Sequence, residues 1–193
     1  MVITKLIFTF ATFLREVEKL NFAGQYEVLF TGLKPGEYFF DFQIGRTFFE
    51  NSESDGIKDG EVRVRVRMDR EERMMDLHFH IEGKVNVPCD RCNEPMDIEI
   101  AGEERLIIKL GDRYFEESED VQIIPETDNK IDLGPFIYEY IYLLLPARRV
   151  HPDDESGNST CNPEVLRRLK ELSENHVPDP RWEVLNKLKN HQS

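Results

Sequence analysis

With 193 residues, 39% of them hydrophobic, the chain can bury one core or one and a half, and nothing in its length demands more. Lys and Arg total 25 against 38 Asp and Glu, a net charge of −13, so the surface as a whole repels nucleic acid and suits solubility or basic partners, while leaving room for a local RNA-binding patch. Three cysteines are too few, and odd in number, for a secreted disulfide scaffold; they place the chain in a reducing, cytoplasmic setting with thiols free or on metal.

The apolar run Leu6 to Leu14 stands behind Lys5 like the opening of a signal peptide. Arg15-Glu16-Val17-Glu18-Lys19 follows at once, the small-residue cleavage pattern is missing, and the run is too short to span a bilayer. Residues 1–25 therefore read as an N-terminal extension, or as the result of a start placed too far upstream.

Tyr26 to Phe30 reads as a strand, and Leu33-Lys34-Pro35-Gly36 suits a type II turn with Pro and Gly at its corners. Glu37 to Ile44 then alternates, placing Tyr38, Phe40, Phe42 and Ile44 on one face, as rings that fill a sheet core rather than stack on bases. A polar loop from Asn51 to Gly60 leads into Glu61 to Met68, where Val62, Val64, Val66 and Met68 face inward. Arg63, Arg65 and Arg67 line the other face about 7 Å apart, two strand rises each. Such a row could grip a phosphate backbone, or pair with neighbouring carboxylates as a solvated face.

Met74 to Val87 and Met96 to Ile100 both alternate like half-buried strands, and between them lies Pro88-Cys89-Asp90-Arg91-Cys92-Asn93-Glu94-Pro95. Two residues between cysteines let both sulfurs share one tetrahedral metal or close a small disulfide. A thioredoxin-like motif would be followed by a helix that lowers the thiol pKa; Pro95 and the alternation after it predict a strand, so the cysteines sit at a hairpin knuckle. His78 and His80 share the face opposite Leu77, Phe79 and Ile81 and read as surface histidines.

Strands resume at Leu106 to Leu110, and Asp112 to Asp128 holds seven acidic residues and one arginine, too charged for a core and expected to be a flexible or edge-covering loop. Asp132 can cap, and Pro135 can open, an almost wholly apolar helix from Phe136 to Leu145, too short for a membrane span. Arg148, Arg149 and His151 come after it. Asn162-Pro163 caps a helix with Val165, Leu166, Leu169 and Leu172 in one stripe, and Asp179-Pro180 opens a last helix carrying Trp182, Leu185 and Leu188.

Taken in order, Cys89-Asp90-Arg91-Cys92-Asn93-Glu94-Pro95, Ile131-Asp132-Leu133, Glu139 running into Leu143-Leu144-Leu145-Pro146, then His151, Cys161 and Asp179-Pro180-Arg181-Trp182 resemble the bacterial and chloroplast YceD-like family. This family is also called DUF177, or the large ribosomal RNA accumulation proteins, and the resemblance covers roughly residues 26 to 190. It implies a role in accumulation or processing of 23S rRNA and in building the large ribosomal subunit, with no catalytic activity attached. The first residues precede the usual beginning of such proteins, and the loop between His151 and Cys161 is long for them. His151 and Cys161, which the resemblance places after the buried helix, could complete a Cys₃His zinc site with Cys89 and Cys92.

No G-x-S-x-G elbow, P-loop, G-x-G-x-x-G or H-E-x-x-H occurs, so no enzyme is recognised. The expectation is a non-catalytic assembly factor that binds precursor 23S rRNA or a large-subunit ribosomal protein, with Arg63, Arg65, Arg67, Arg148 and Arg149 as RNA contacts. A thiol oxidoreductase at Cys89 and Cys92, or a metal-dependent nuclease, is the alternative. The expected fold is α+β: an antiparallel, barrel-like sheet over 26–110 with the C-X2-C knuckle, then a helical part over 131–190, together one domain over 26–190.

Overall fold

The computed structural model describes residues 24–50 and 56–174. The apolar run Leu6 to Leu14 and the helix expected from Asp179 lie outside them, as does nearly all of the expected extension 1–25. The described residues fall into two compact units, one built from 24–88 and 95–149, the other from 89–94 and 150–174.

The first unit is α+β. A short strand β1 (Glu27–Leu29) is followed by β2 (Gly36–Ile44), a one-turn helix α1 (Arg46–Glu50), and the long strands β3 (Asp59–Arg70), β4 (Met74–Pro88) and β5 (Pro95–Gly111). Then come β6 (Phe115–Ser118), β7 (Val121–Pro125), β8 (Lys130–Asp132) and helix α2 (Gly134–Leu143). The six-stranded sheet has the order β2-β3-β4-β5-β7-β6, antiparallel except for the β5–β7 pair, and β1 pairs with β8 in a separate two-stranded sheet. Among the described residues the barrel-like closure expected from sequence is therefore not formed: β2 and β6 are the outer strands of an open sheet.

Alternation builds the core as the sequence predicts. Val62, Val64, Val66 and Met68 of β3 and Met75, Leu77, Phe79 and Ile81 of β4 are all at most 1% exposed. Helix α2 covers them with Ile137, Tyr140 and Ile141, and the Tyr140 ring meets Phe79 edge-on at 5.0 Å. Phe48 of α1 packs edge-on against Tyr26 at 5.0 Å. Two strands expected around 96–100 and 106–110 are one: β5 runs unbroken through Ala101-Gly102-Glu103-Glu104-Arg105. At Gly102 an added Cβ would lie 2.2 Å from Leu144 Cδ2, so the residue just past α2 sits directly over this strand.

Three local readings are corrected. The turn before β2 uses Gly32, at φ 84, with Leu33 N–H donating to the Phe30 carbonyl, so the glycine at the left-handed corner is Gly32 and Gly36 already begins the strand. The acidic stretch 112–128 forms β6 and β7 rather than a loop. At a sheet margin, carboxylates point to water while Ile124 turns inward, and such charge discourages further edge pairing. Asp132 accepts the Gly134 N–H at 2.9 Å but stands one position before the helix N-cap, Leu133, which has no side-chain cap.

Among the described residues, no helix is long and apolar enough to cross a membrane. The second unit contains the turn Cys89–Glu94, the loop from Val150 and helix α3 (Pro163–Glu174).

Candidate metal centre

Between Pro88 and Pro95, which are paired across the end of the β4–β5 ladder, six residues form a tight turn. The Cys89 N–H donates to the Glu94 carbonyl at 2.9 Å, and the Asn93 N–H donates to the Cys89 carbonyl at 2.8 Å. Asn93 sits at φ 61, a left-handed conformation that asparagine tolerates better than most residues. This closes the loop with both thiols on its inner side: Cys89 is 2% and Cys92 7% exposed.

The other half of the cluster comes from 150–161. The long interval between His151 and Cys161 is folded back on itself. Asp153 and Ser159 form an isolated antiparallel bridge, and Asp154 N–H donates to the Asn158 carbonyl at 2.7 Å. The Asp154 carboxylate accepts N–H bonds from Ser156 and Asn158, and Gly157 turns the corner at φ 80. His151 Nδ1 and Cys161 Sγ, ten positions apart, thereby lie 3.8 Å from each other. Asn162 then caps α3, its Oδ1 accepting the Glu164 N–H at 2.9 Å and the Val165 N–H at 3.4 Å, as the sequence predicts.

Cys89, Cys92, His151 and Cys161 converge, with one donor atom from each lying within 4.8 Å of all the others. Cys89 Sγ to Cys161 Sγ is 3.8 Å and Cys92 Sγ to His151 Nδ1 is 3.4 Å. All three cysteines are free thiols. Three soft sulfurs and one imidazole at such separations could hold a single metal ion.

The surroundings already separate the thiols electrostatically. Burial works against the Cys89 thiolate, yet the backbone N–H groups of Cys92, Arg91 and His151 and the Cys92 thiol outweigh it and bring Cys89 down to about 6. Burial pushes Cys92 up, and the Ser159 hydroxyl brings Cys161 down.

Sequence reasoning missed the residues that frame this cluster. Arg91 Nη1 donates to Ser159 Oγ at 2.8 Å, and Ser159 Oγ accepts the Cys161 N–H at 3.3 Å. Asn162 Nδ2 donates to Glu94 Oε1 at 2.6 Å, tying the turn to the start of α3. The available signal was position: Arg91 lies inside the C-x-x-C and Asn162 directly follows Cys161.

The proposed RNA contacts are placed differently. Arg63, Arg65 and Arg67 share the outer face of β3, and each meets a carboxylate on a neighbouring strand: Glu82 at 3.7 Å, Asp41 at 3.0 Å and Glu37 at 3.2 Å respectively. One transverse row of this face runs Phe39, Arg67, His78, Arg105 across β2 to β5, and Phe39 is 58% exposed. A shallow groove of about 720 Å³ lies there, bordered by Phe39, Arg65, Arg67 and Arg105 and also by the carboxylates of Glu103, Glu104 and Asp120. Arg148 and Arg149 lie after α2 and do not line that groove.

No curated protein and no solved structure matches the chain. The family model for the large ribosomal RNA subunit accumulation protein YceD matches residues 77–189, more than half of the 193, and the chain belongs to that family.

Proposed function

We propose that this member of the YceD family supports accumulation of large-subunit rRNA in the cytoplasm as a non-catalytic binding protein that engages precursor 23S rRNA or a large-subunit ribosomal protein. Family membership carries this reading, because the matched stretch 77–189 contains the whole Cys89, Cys92, His151, Cys161 cluster. The arginine row on β3 lies before the match.

The cluster has a structural part in this reading, holding zinc through three thiolates and the His151 imidazole. Among the described residues of the second unit, the three cysteines are the buried ones. The described residues of this small unit bury no aliphatic or aromatic side chain, and a metal with four protein ligands is the usual substitute for a core. Closing all four positions with side chains leaves no place for a substrate or activated water, which separates a structural from a catalytic ion.

Burial also speaks against a thiol oxidoreductase. Cys89 at 2% and Cys161 at 3% exposure offer an incoming disulfide no approach, whereas redox-active thiols are partly exposed.

Crosslinking in cells, followed by identification of bound RNA and protein, tests the function. Recovery of 23S precursor or large-subunit proteins is expected, and recovery of neither would overturn the proposal.

A further inference from the structure

A second surface of the first unit has a different character from the arginine-bearing sheet face. Where β6 and β7 pass α2 there is a groove of about 420 Å³ with Ile123, Ile131 and Phe136 in its lining. Tyr114 and Phe115 stand at its mouth, 70% and 54% exposed. Large rings left this open at a concave apolar site are uncommon on a surface with no partner.

The rim is acidic and uncompensated. Glu116 and Glu139 line the groove, and Glu119 and Glu104 add to the field at Glu139, Glu104 also lining the arginine-bearing groove of the sheet. Lys109 is taken by Glu117 and Arg73 by Glu126. Among the described residues, no ion pair forms at Glu104, Glu116, Glu119 or Glu139, while Asp120 lies in the field of Arg105. The strain of this arrangement is visible at Glu139, where burial first, and then Glu116, Glu119 and Glu104, raise the carboxyl above its usual range. β6 is also an edge of the six-stranded sheet.

We propose that this groove docks a Lys/Arg-rich polypeptide segment that carries an apolar anchor residue, the anchor seated among Phe115, Ile123 and Phe136 and the cations against Glu116 and Glu139. Charge complementarity selects this occupant over the others. A second copy of the chain brings −13 of its own to an already acidic rim, and a nucleic acid brings phosphates. A basic segment supplies the counter-charge that Glu116, Glu119 and Glu139 lack among the described residues. The inference deepens the assembly-factor reading and rests on it for the biological source of the segment, since ribosomal proteins are rich in such stretches; the binding chemistry stands without it.

The test uses the full chain and fluorescence anisotropy with three labelled twelve-residue peptides: Lys with two Leu anchors, the same with Leu replaced by Gly, and the same with Lys replaced by Glu. The Lys/Leu peptide is expected to bind, at least tenfold tighter than either of the others, and to weaken as salt is raised from 50 to 300 mM. Phe115→Ser, and the pair Glu116→Gln with Glu139→Gln, should each weaken it about tenfold, while Glu71→Gln with Glu72→Gln, on the β3–β4 turn and outside the groove's lining, should leave it unchanged.

Equal loss in the Glu71/Glu72 variant would reduce the effect to net charge and overturn the proposal. So would absence of binding, or sedimentation as a dimer that Phe115→Ser dissociates. The two readings fail separately. Crosslinks to 23S precursor with no peptide binding would sink the groove alone, and peptide binding with neither rRNA nor ribosomal proteins recovered from cells would sink the assembly role alone.

Discussion

Cys89 Sγ and Cys161 Sγ lie 3.8 Å apart although 72 positions separate them in the chain. Around tetrahedral zinc, with Zn–S about 2.3 Å and Zn–N about 2.0–2.1 Å, two sulfurs stand about 3.8 Å apart and a sulfur and a nitrogen about 3.6 Å. The Cys92–His151 and Cys161–His151 separations of 3.4 and 3.8 Å bracket the second value. Native mass spectrometry of protein made in zinc-replete medium should therefore show one zinc per chain, lost in Cys89→Ser.

Structural zinc contributes on the order of 10 kcal/mol in small sites, so its removal should melt the second unit. Hydrogen exchange is expected to show amides of 150–174 losing protection in Cys89→Ser or under chelator, with β3 and β4 amides, which have their own core, keeping theirs. A metal-free protein, together with a Cys89→Ser variant as protected as the parent, would return the cysteines to a packing role.

Gly83 of β4 faces the backbone of β3 with no room for a side chain. A Cβ there would lie 2.3 Å from the Glu61 carbonyl oxygen and 2.6 Å from Val62 Cα, both backbone atoms that cannot swing aside. Gly83→Ala should cost upward of about 2 kcal/mol in urea unfolding, as overpacking in a rigid interior does. Gly32 makes the comparison: nothing lies within 4 Å of its added Cβ, so Gly32→Ala should cost only the left-handed strain of its φ of 84°, about 1 kcal/mol.

Two carboxylates of the first unit should respond to pH with opposite signs. Asp76 accepts from Arg105 Nε at 2.9 Å and Nη2 at 2.7 Å, and this pairing holds its carboxyl below the usual range. Its contribution is complete above the unfolded carboxylate pKa and disappears as pH falls through the lowered folded value. Asp76→Asn should thus destabilise at neutral pH, by about 1 kcal/mol, and be silent in strong acid. Glu139 is raised by burial and by Glu116, Glu119 and Glu104, so its ionised form burdens the fold above the raised pKa. Glu139→Gln should stabilise at neutral pH, with the gain fading as pH falls from the raised value into the ordinary carboxylate range. Denaturant midpoints from pH 3 to 8 check both, and parallel profiles would refute the assignment.

The period-2 alternation made β4 legible almost to the residue and β3 to within two residues at either end, because one face of each is fully buried. It failed at 112–128, where charge was read as exclusion from the sheet, although a short strand near a sheet margin needs only one inward residue in several, here Ile124 of β7, with β6 outside it as the edge. Closure into a barrel was likewise beyond local pattern: that β7 joins β5 in parallel and leaves β6 as an edge is set by long-range pairing. In the metal cluster, spacing alone identified Cys89 and Cys92, while His151 and Cys161 came only with the family resemblance. What brings them in is the Asp153–Ser159 hairpin, built from Asx-type bonds of Asp154 that no ligand-spacing rule anticipates.

Arg63, Arg65 and Arg67 are each roughly half exposed, and each pairs with an exposed carboxylate on an adjacent strand. Such pairs contribute less than about 1 kcal/mol each, so a phosphate that offers two oxygens in the guanidinium plane can displace a carboxylate without unfolding anything. Changing all three to Gln should therefore leave the thermal midpoint within a few degrees of the parent. If precursor 23S rRNA lies on this face, beside Phe39 and Arg105, the same variant should weaken RNA binding. It should also flatten the log–log dependence on salt by about 0.7 to 0.9 for every phosphate no longer neutralised. Filter binding at four salt concentrations measures both, and an unchanged slope would leave these arginines as ion-paired residues of a solvated sheet.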